Sequence, residues 1–275
     1  MAGVPAVTTF RVSAAFAAVC AMAVCLLASA PQKINPRDAL WIIVHDSCVQ
    51  NQIHDHDPKP CVVVDIHDGL QQGFAVLKDI RGDTQFLLIP TARVTGIESP
   101  ALLAPGAPNY FADAWEARTY IDDALHRKLP RDAIGLALNS VPSRSQDQLH
   151  IHMDCVQPDL HKLLRDHEAG IGKQWAPLDI PFTGHRYLAM WVPGEHLGAN
   201  NPFRLLVDDI PGAEKNMADR TLVVVGYTQK NGTAGFVIFE DQVDQASHDS
   251  AHGEDLLDHS CRVAAAPAAA APPKN

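Results

Sequence analysis

The sequence predicts an α+β fold built on an antiparallel sheet, and three observations carry that expectation. First, β-prone apolar runs come in pairs joined by turn residues. Residues 73–79 pair with 84–89 around Ile80-Arg81-Gly82-Asp83, and 221–227 with 235–240 around Lys230-Asn231-Gly232, the pattern of hairpins. Second, helical spacing interrupts the strands without the strand–helix–strand repeat that builds a parallel sheet. Third, residues 148–155, QLHIHMDC, alternate strictly: Gln148, His150, His152 and Asp154 fall on one side, Leu149, Ile151, Met153 and Cys155 on the other. That period of two is expected of a half-buried strand, with the polar row exposed.

Taken in order, the chain begins with Arg11 and then a charge-free run over 12–30, which predicts one N-terminal hydrophobic helix near the lower length limit for crossing a bilayer. Ala28-Ser29-Ala30 resembles a signal-cleavage site, but Pro31 directly after it hinders cleavage, so the run reads as a signal-anchor in preference to a removed signal peptide. Either reading sends the rest of the chain across the membrane. Of the six cysteines, Cys20 and Cys25 lie in this run. Cys48 and Cys61 bracket a short polar loop and are the expected pair, worth up to roughly 3 kcal/mol. Cys155 with Cys261 would then tie the histidine strand to the C-terminal segment; the alternative is four reduced thiols.

Residues 38–48 read as a short helix after Asn35-Pro36, and 90–100 as an irregular stretch closing the first hairpin. From Asn109, a fair N-cap, to about 128 the spacing of Phe111, Trp115, Tyr120, Ile121 and Leu125 is helical, and Pro130 stops it. Residues 134–139 form the strand expected to pair antiparallel with the histidine strand. A helix is expected over 158–167, an undetermined segment over 187–192, another helix near 201–209, and then the second hairpin. The Ala/Pro tail, 264–275, is low-complexity and expected to be disordered. This gives one main domain over 38–262, with a core over about 60–168. The later hairpin, about 185–262, is either added to that core or forms a second lobe.

The chain has 275 residues and a net charge of −10, from 32 acidic against 22 basic residues, which argues against a nucleic-acid polymer as partner. It leaves room for a small anionic substrate, because local cations set the field in a cleft. The histidine pair alone admits three readings: solvent-facing residues, part of a metal site, or catalysis. A neutral imidazole can attack phosphorus, ligate a metal or shuttle a proton.

Together with the strand ending at Asn139, QLHIHMDC resembles the histidine-triad superfamily of nucleotide hydrolases and transferases. The ordered set of GFAVLKD at 73–79, PTARVTGIESP at 90–100, NYFADAWEAR at 109–118, LALNS at 136–140 and LHIHMDC at 149–155 is similar to the bacterial CDP-diacylglycerol pyrophosphatase family. So are the N-terminal membrane-crossing run, the loop from Cys48 to Cys61 and the late Cys261. The resemblance implies a histidine-triad-like antiparallel sheet with flanking helices. It also implies cleavage of CDP-diacylglycerol to CMP and phosphatidate, in phospholipid metabolism, on the outer side of a bacterial inner membrane. His150 would be the nucleophile and form a nucleotidyl-histidine. His152 would contact phosphate oxygens or support the His150 tautomer, Ser145 would assist the leaving oxygen, and Asn139 would orient substrate. The first triad position is Gln148, which can donate to a phosphate oxygen but cannot relay a proton.

Arg93 is a candidate pyrophosphate ligand against a structural ion pair, Lys78 a candidate phosphate contact against a solvated strand end, and Arg144 a further candidate cation. No cofactor and no metal are expected. His54-Asp55-His56-Asp57, and His248, His252 and His259, read as solvated histidines among acidic neighbours, and Asp154 as the polar end of its strand. Phe111 and Trp115 read as core. Two rivals stay open: hydrolysis or transfer of soluble nucleotides on the same scaffold, and a non-catalytic, metal-binding envelope protein.

Overall fold

The computed structural model describes residues 1, 3, 35–179 and 181–265. The hydrophobic run 12–30 and the tail from 266 onward lie outside the described residues. Among the described residues no helix is long and apolar enough to cross a membrane.

The expected hairpins form, and the fold is α+β. β1 (Val63–Asp65), β2 (Phe74–Lys78), β3 (Phe86–Pro90), β4 (Ile134–Leu138), β5 (Ile151–Cys155), β6 (Ala176–Pro177), β7 (Leu188–Pro193), β8 (Arg220–Thr228) and β9 (Ala234–Gln242) make one sheet. Its order is β1-β2-β3-β5-β4-β8-β9-β7-β6, with every neighbouring pair antiparallel. The histidine strand, β5, pairs with β4 as expected and also with β3, His152 lying opposite both Leu87 and Ala137. The later hairpin, β8 and β9, joins β4 edge to edge, so residues 185–262 continue the same sheet.

Alternation assigns the two faces. One face carries Val76, Phe86, Leu88, Leu136, Leu138, Ile151, Met153, Leu222, Val224, Phe236 and Ile238, packed with Phe111 and Trp115 in the largest core cluster. The helix holding those two aromatics, Tyr110–Ala117, is capped by the Asn109 side chain, which accepts from the Ala112 N–H. A second helical turn, Thr119–Leu125, ends at His126 in the left-handed conformation, short of the expected residue 128.

The opposite face has two covers. Over β2 and β3 lies a continuous helical run, Pro36–Asp38, Ala39–Ile42, Ile43–Val49 and Gln50–Asp55, longer than the expected 38–48. It packs Val44, Cys48 and Val49 on Ala75, Leu87 and Ile89, and the Cys48–Cys61 disulfide holds it there. Over β4, β8 and β9 lie the helix Pro158–His167 and the turn Gly253–Leu256. The Cys155–Cys261 disulfide, with backbone bonds Asp258 to Cys155 and Gln157 to Leu256, fastens that C-terminal segment along the end of β5. Both disulfides match the expected pairing.

This double cover corrects the half-buried reading of β5: all five residues of the strand are buried. A central strand of a sheet covered on both faces has no solvated side, and its polar row meets other protein groups and a cleft instead.

Candidate functional site

Between the two covers a cleft of about 510 Å³ opens onto β5. It is lined on its floor by His150, His152 and Leu87, and at one end by Asn139 and Ser143–Gln146. Lys78–Arg81 line another side, the first helical run contributes Ala39, Leu40 and Ile43, and the C-terminal segment contributes His252 and Glu254. A second cleft of the same volume, around Leu102–Ala107 and Arg204, is lined by no histidine, thiol or carboxylate and offers no nucleophile.

His150 is the chemically distinctive floor residue. Its Nδ1 lies 2.7 Å from the Gln148 carbonyl, which can only accept, so Nδ1 carries the proton and Nε2 keeps its lone pair. Burial pushes its pKa below the ordinary value, so the ring is neutral at physiological pH. His152 packs edge-on, 4.9 Å between ring centroids. Burial pushes its pKa down to about 3. The Gln85 amide nitrogen reaches both His152 Nδ1, at 2.7 Å, and the Glu254 carboxylate, at 3.0 Å. His152 Nδ1 also lies 3.1 Å from Glu254 Oε1, and its Nε2 is buried with no protein partner.

Glu254 is the hub of the site. It accepts from Gln85 and, at 2.8 Å, from Asn139, and His252 Nε2 stands 3.4 Å away. Burial opposes its charge, yet these hydrogen bonds hold its carboxyl well below the usual range. Because burial keeps the His152 ring neutral, the hydrogen bonds rather than a charge on that ring keep Glu254 ionised. His252 stands between Asp255, 2.9 Å from its Nδ1, and Glu254. Hydrogen bonds to those carboxylates raise its pKa to about 9, so it enters the cleft as an imidazolium. Lys78, Arg81, Arg144 and His252 share the cleft lining with Asp79 and Glu254, so cationic donors for a diphosphate stand around the floor histidines.

The remaining sequence-based candidates divide. Asn139, Ser145 and Lys78 line the cleft; the Lys78 ammonium donates to the carbonyls of Asp79 and Gly82. Arg144 also lines it, but its guanidinium is held by both Glu98 oxygens and by Asp147. Gly96 lies so close to that guanidinium that a Cβ there would meet Nη1 at 1.8 Å.

Two candidates are corrected. The Gln148 side chain is fully buried and off the cleft, donating to the carbonyls of Pro90 and Ala92. It fastens the chain leaving β3, because regular strand pairing begins only at Ile151. Arg93 is also off the cleft: it pairs with Asp38 and stacks over Trp41 at 5.3 Å, a structural ion pair.

Gln85, His252 and Glu254 were not singled out as site residues, and Asp154 is no solvated strand end. Asp154 is fully buried and accepts from Thr84 and from His259, 2.6 and 2.8 Å away, and that contact raises the His259 pKa. The signal for Gln85 is its register: Phe86 faces Met153, which puts Gln85 beside Asp154. For His252 and Glu254 no local signal exists, since Glu254 meets Gln85 across 169 residues of sequence.

Comparison with known proteins gives the family. The family model described as CDP-diacylglycerol pyrophosphatase matches residues 35–265. The CDP-diacylglycerol pyrophosphatase of Yersinia pestis is 39% identical over 231 residues, covering 84% of this chain and 86% of that protein. The chain belongs to the CDP-diacylglycerol pyrophosphatase family.

Proposed function

We propose that the protein hydrolyses CDP-diacylglycerol to CMP and phosphatidate through a nucleotidyl-histidine on His150, with β5 acting as a histidine triad whose first member is replaced. The observation that carries this is the single hydrogen bond from His150 Nδ1 to a backbone carbonyl. It fixes one tautomer and leaves a bare lone pair on Nε2 beside the cationic donors of the cleft. Nε2 attacks the cytidine-side phosphorus. A P–N bond forms, the anhydride P–O bond breaks, and phosphatidate leaves with the electron pair. The His252 imidazolium donates to oxygens that gain charge, as a preorganised donor does in a desolvated site, and His152 packs edge-on against the attacking ring. Asn139 and Glu254 hold those rings in place. Water then attacks the same phosphorus, the P–N bond breaks, and CMP and free His150 are restored, the water proton passing to solvent.

The lipid portion of the substrate is supported by the apolar part of the lining: Ala39, Leu40, Ile43, Leu77, Leu87 and the fully exposed Ile80. The charge-free run 12–30 would tether the domain to the outer side of the inner membrane and raise the effective concentration of a lipid substrate. This reading expects CMP release from CDP-diacylglycerol in detergent, and faster turnover of the lipid than of a water-soluble CDP-alcohol. His150→Ala should cut release on the order of 10,000-fold. Full turnover by that variant, with unchanged circular dichroism, rejects the mechanism.

A further inference from the structure

On the same face of the sheet, beyond the Gly253–Leu256 turn, His185, Asp241 and Asp249 converge with one ligand-type atom each, all within 4.8 Å of one another. His185 comes from the turn before β7, Asp241 from β9 and Asp249 from the loop after it. The His185 Nδ1 lies 2.5 Å from Asp249 Oδ2 and 3.3 Å from Asp241 Oδ2.

Each carboxylate is half-committed. Asp241 Oδ1 accepts from the Gln242 N–H and Asp249 Oδ1 from the Ala251 N–H, at 2.9 and 2.7 Å. That leaves both Oδ2 atoms turned to the imidazole. The Asp241 side chain is only 5% exposed, and its Oδ2 is buried without a hydrogen-bond partner. A cleft of about 380 Å³, bordered by Asp241 and Asp249, gives a route from solvent.

We propose that His185, Asp241 and Asp249 bind a divalent cation that fastens the loop after β9 to the sheet. One nitrogen and two carboxylate oxygens, with water completing the shell, suit Zn²⁺ or Mn²⁺ better than Ca²⁺, which prefers a larger all-oxygen shell. Ligands roughly 2.0–2.2 Å from a tetrahedral zinc stand about 3.4 Å apart, which the His185–Asp241 spacing matches; the 2.5 Å His185–Asp249 contact is a hydrogen bond that must lengthen by about 1 Å as the cation enters. For Nδ1 to bind the metal, the ring proton must sit on Nε2. That atom faces Asp255 Oδ2 at 3.6 Å, the outer carboxylate that commonly orients a metal-bound histidine. The other oxygen of Asp255 holds His252 on the cleft, so the cation fixes, at one remove, a group of the proposed active site. The inference stands whether or not His150 is the nucleophile.

The test is calorimetric titration of the full chain, stripped with EDTA and held in detergent, with ZnCl2, MnCl2 and CaCl2. One equivalent of Zn²⁺ or Mn²⁺ should bind more tightly than Ca²⁺ and raise Tm. Asp241→Asn and, separately, Asp249→Asn should weaken binding about tenfold or more. The double substitution His54→Ala, His56→Ala, in the exposed tract at the end of the first helical run, should leave it unchanged. If Asp241→Asn fails to fold, Asp249→Asn decides. No stoichiometric binding, or binding untouched by the aspartate variants, overturns the proposal and leaves the His185 side chain alone to hold the two carboxylates.

Discussion

The floor of the cleft and the C-terminal segment along its rim both present histidines, in opposite electrostatic settings. On the floor, His150 meets a backbone carbonyl, and His152 meets a side-chain amide and, at 3.1 Å, the Glu254 carboxylate; both lie deep in a doubly covered sheet, and burial outweighs these neighbours and lowers both pKa values. On the rim, His252 faces Asp255 and Glu254, and His259 faces Asp154, and those carboxylates raise both. One side-chain type therefore lines the same cleft as a neutral ring on the floor and as a cation on the rim, because burial prevails on the floor and the carboxylates prevail on the rim. Pairs of groups pushed apart in this way mark acid and base roles in an active site.

The sharpest way to break the contrast is Glu254→Gln. It removes one of the two carboxylates that keep His252 charged and weakens the hold on Gln85 and Asn139. We expect kcat/KM at pH 8 to fall about 100-fold. His252 titrates near 9 and is a cation below that pH, so the wild-type activity should decline as pH rises through about 9. In the variant this alkaline limb should move toward 7. An alkaline limb that stays in place would remove His252 from the account.

The floor makes the converse prediction on the acid side. A histidine whose folded pKa lies below its unfolded value near 6.5 adds no cost above 6.5. It withdraws stability as pH falls below that value, because unfolding then takes up a proton. Both floor histidines are of this kind, so each should withdraw stability between pH 7 and pH 5, His152, with a folded pKa of about 3, by roughly 2 kcal/mol. Denaturant titrations at the two pH values check this, and His152→Gln should remove its share of the difference. For the same reason, activity should persist below pH 6.5, where an ordinary imidazole would be half protonated. A sharp loss at 6.5 would mean that His150 is not desolvated.

Legibility in the sequence followed the same division. β5, its partner β4 and both hairpins could be read because alternation and turn residues are local signals. So could Asn139 and Ser145 as neighbours of the cleft, through the family resemblance, whereas Lys78 was one of two open readings of a lysine at a strand end. Gln148 misled because its position in the alternation places it in the polar row, whereas its amide serves the backbone carbonyls of Pro90 and Ala92. His252 was read as solvated because its acidic surroundings look hydrophilic along the chain, and Glu254 was not singled out. Only the Cys155–Cys261 link and the backbone bonds beside it lay that segment along β5.

The smallest expected effect lies outside both regions. Arg93→Ala breaks a partly exposed ion pair with Asp38 and a stacking contact with Trp41. It should lower stability by less than about 1 kcal/mol and leave CMP release unaltered. A large rise in KM would return Arg93 to the substrate.

The most direct test of the central claim is to mix enzyme with CDP-diacylglycerol labelled in the cytidine-side phosphate, quench in alkali to protect a phosphoramidate, and map the label by mass spectrometry. The account predicts one cytidylyl group on the peptide containing His150, absent from His150→Ala. Rapid turnover with no protein-bound label at any quench time, or a label on another residue, would contradict it.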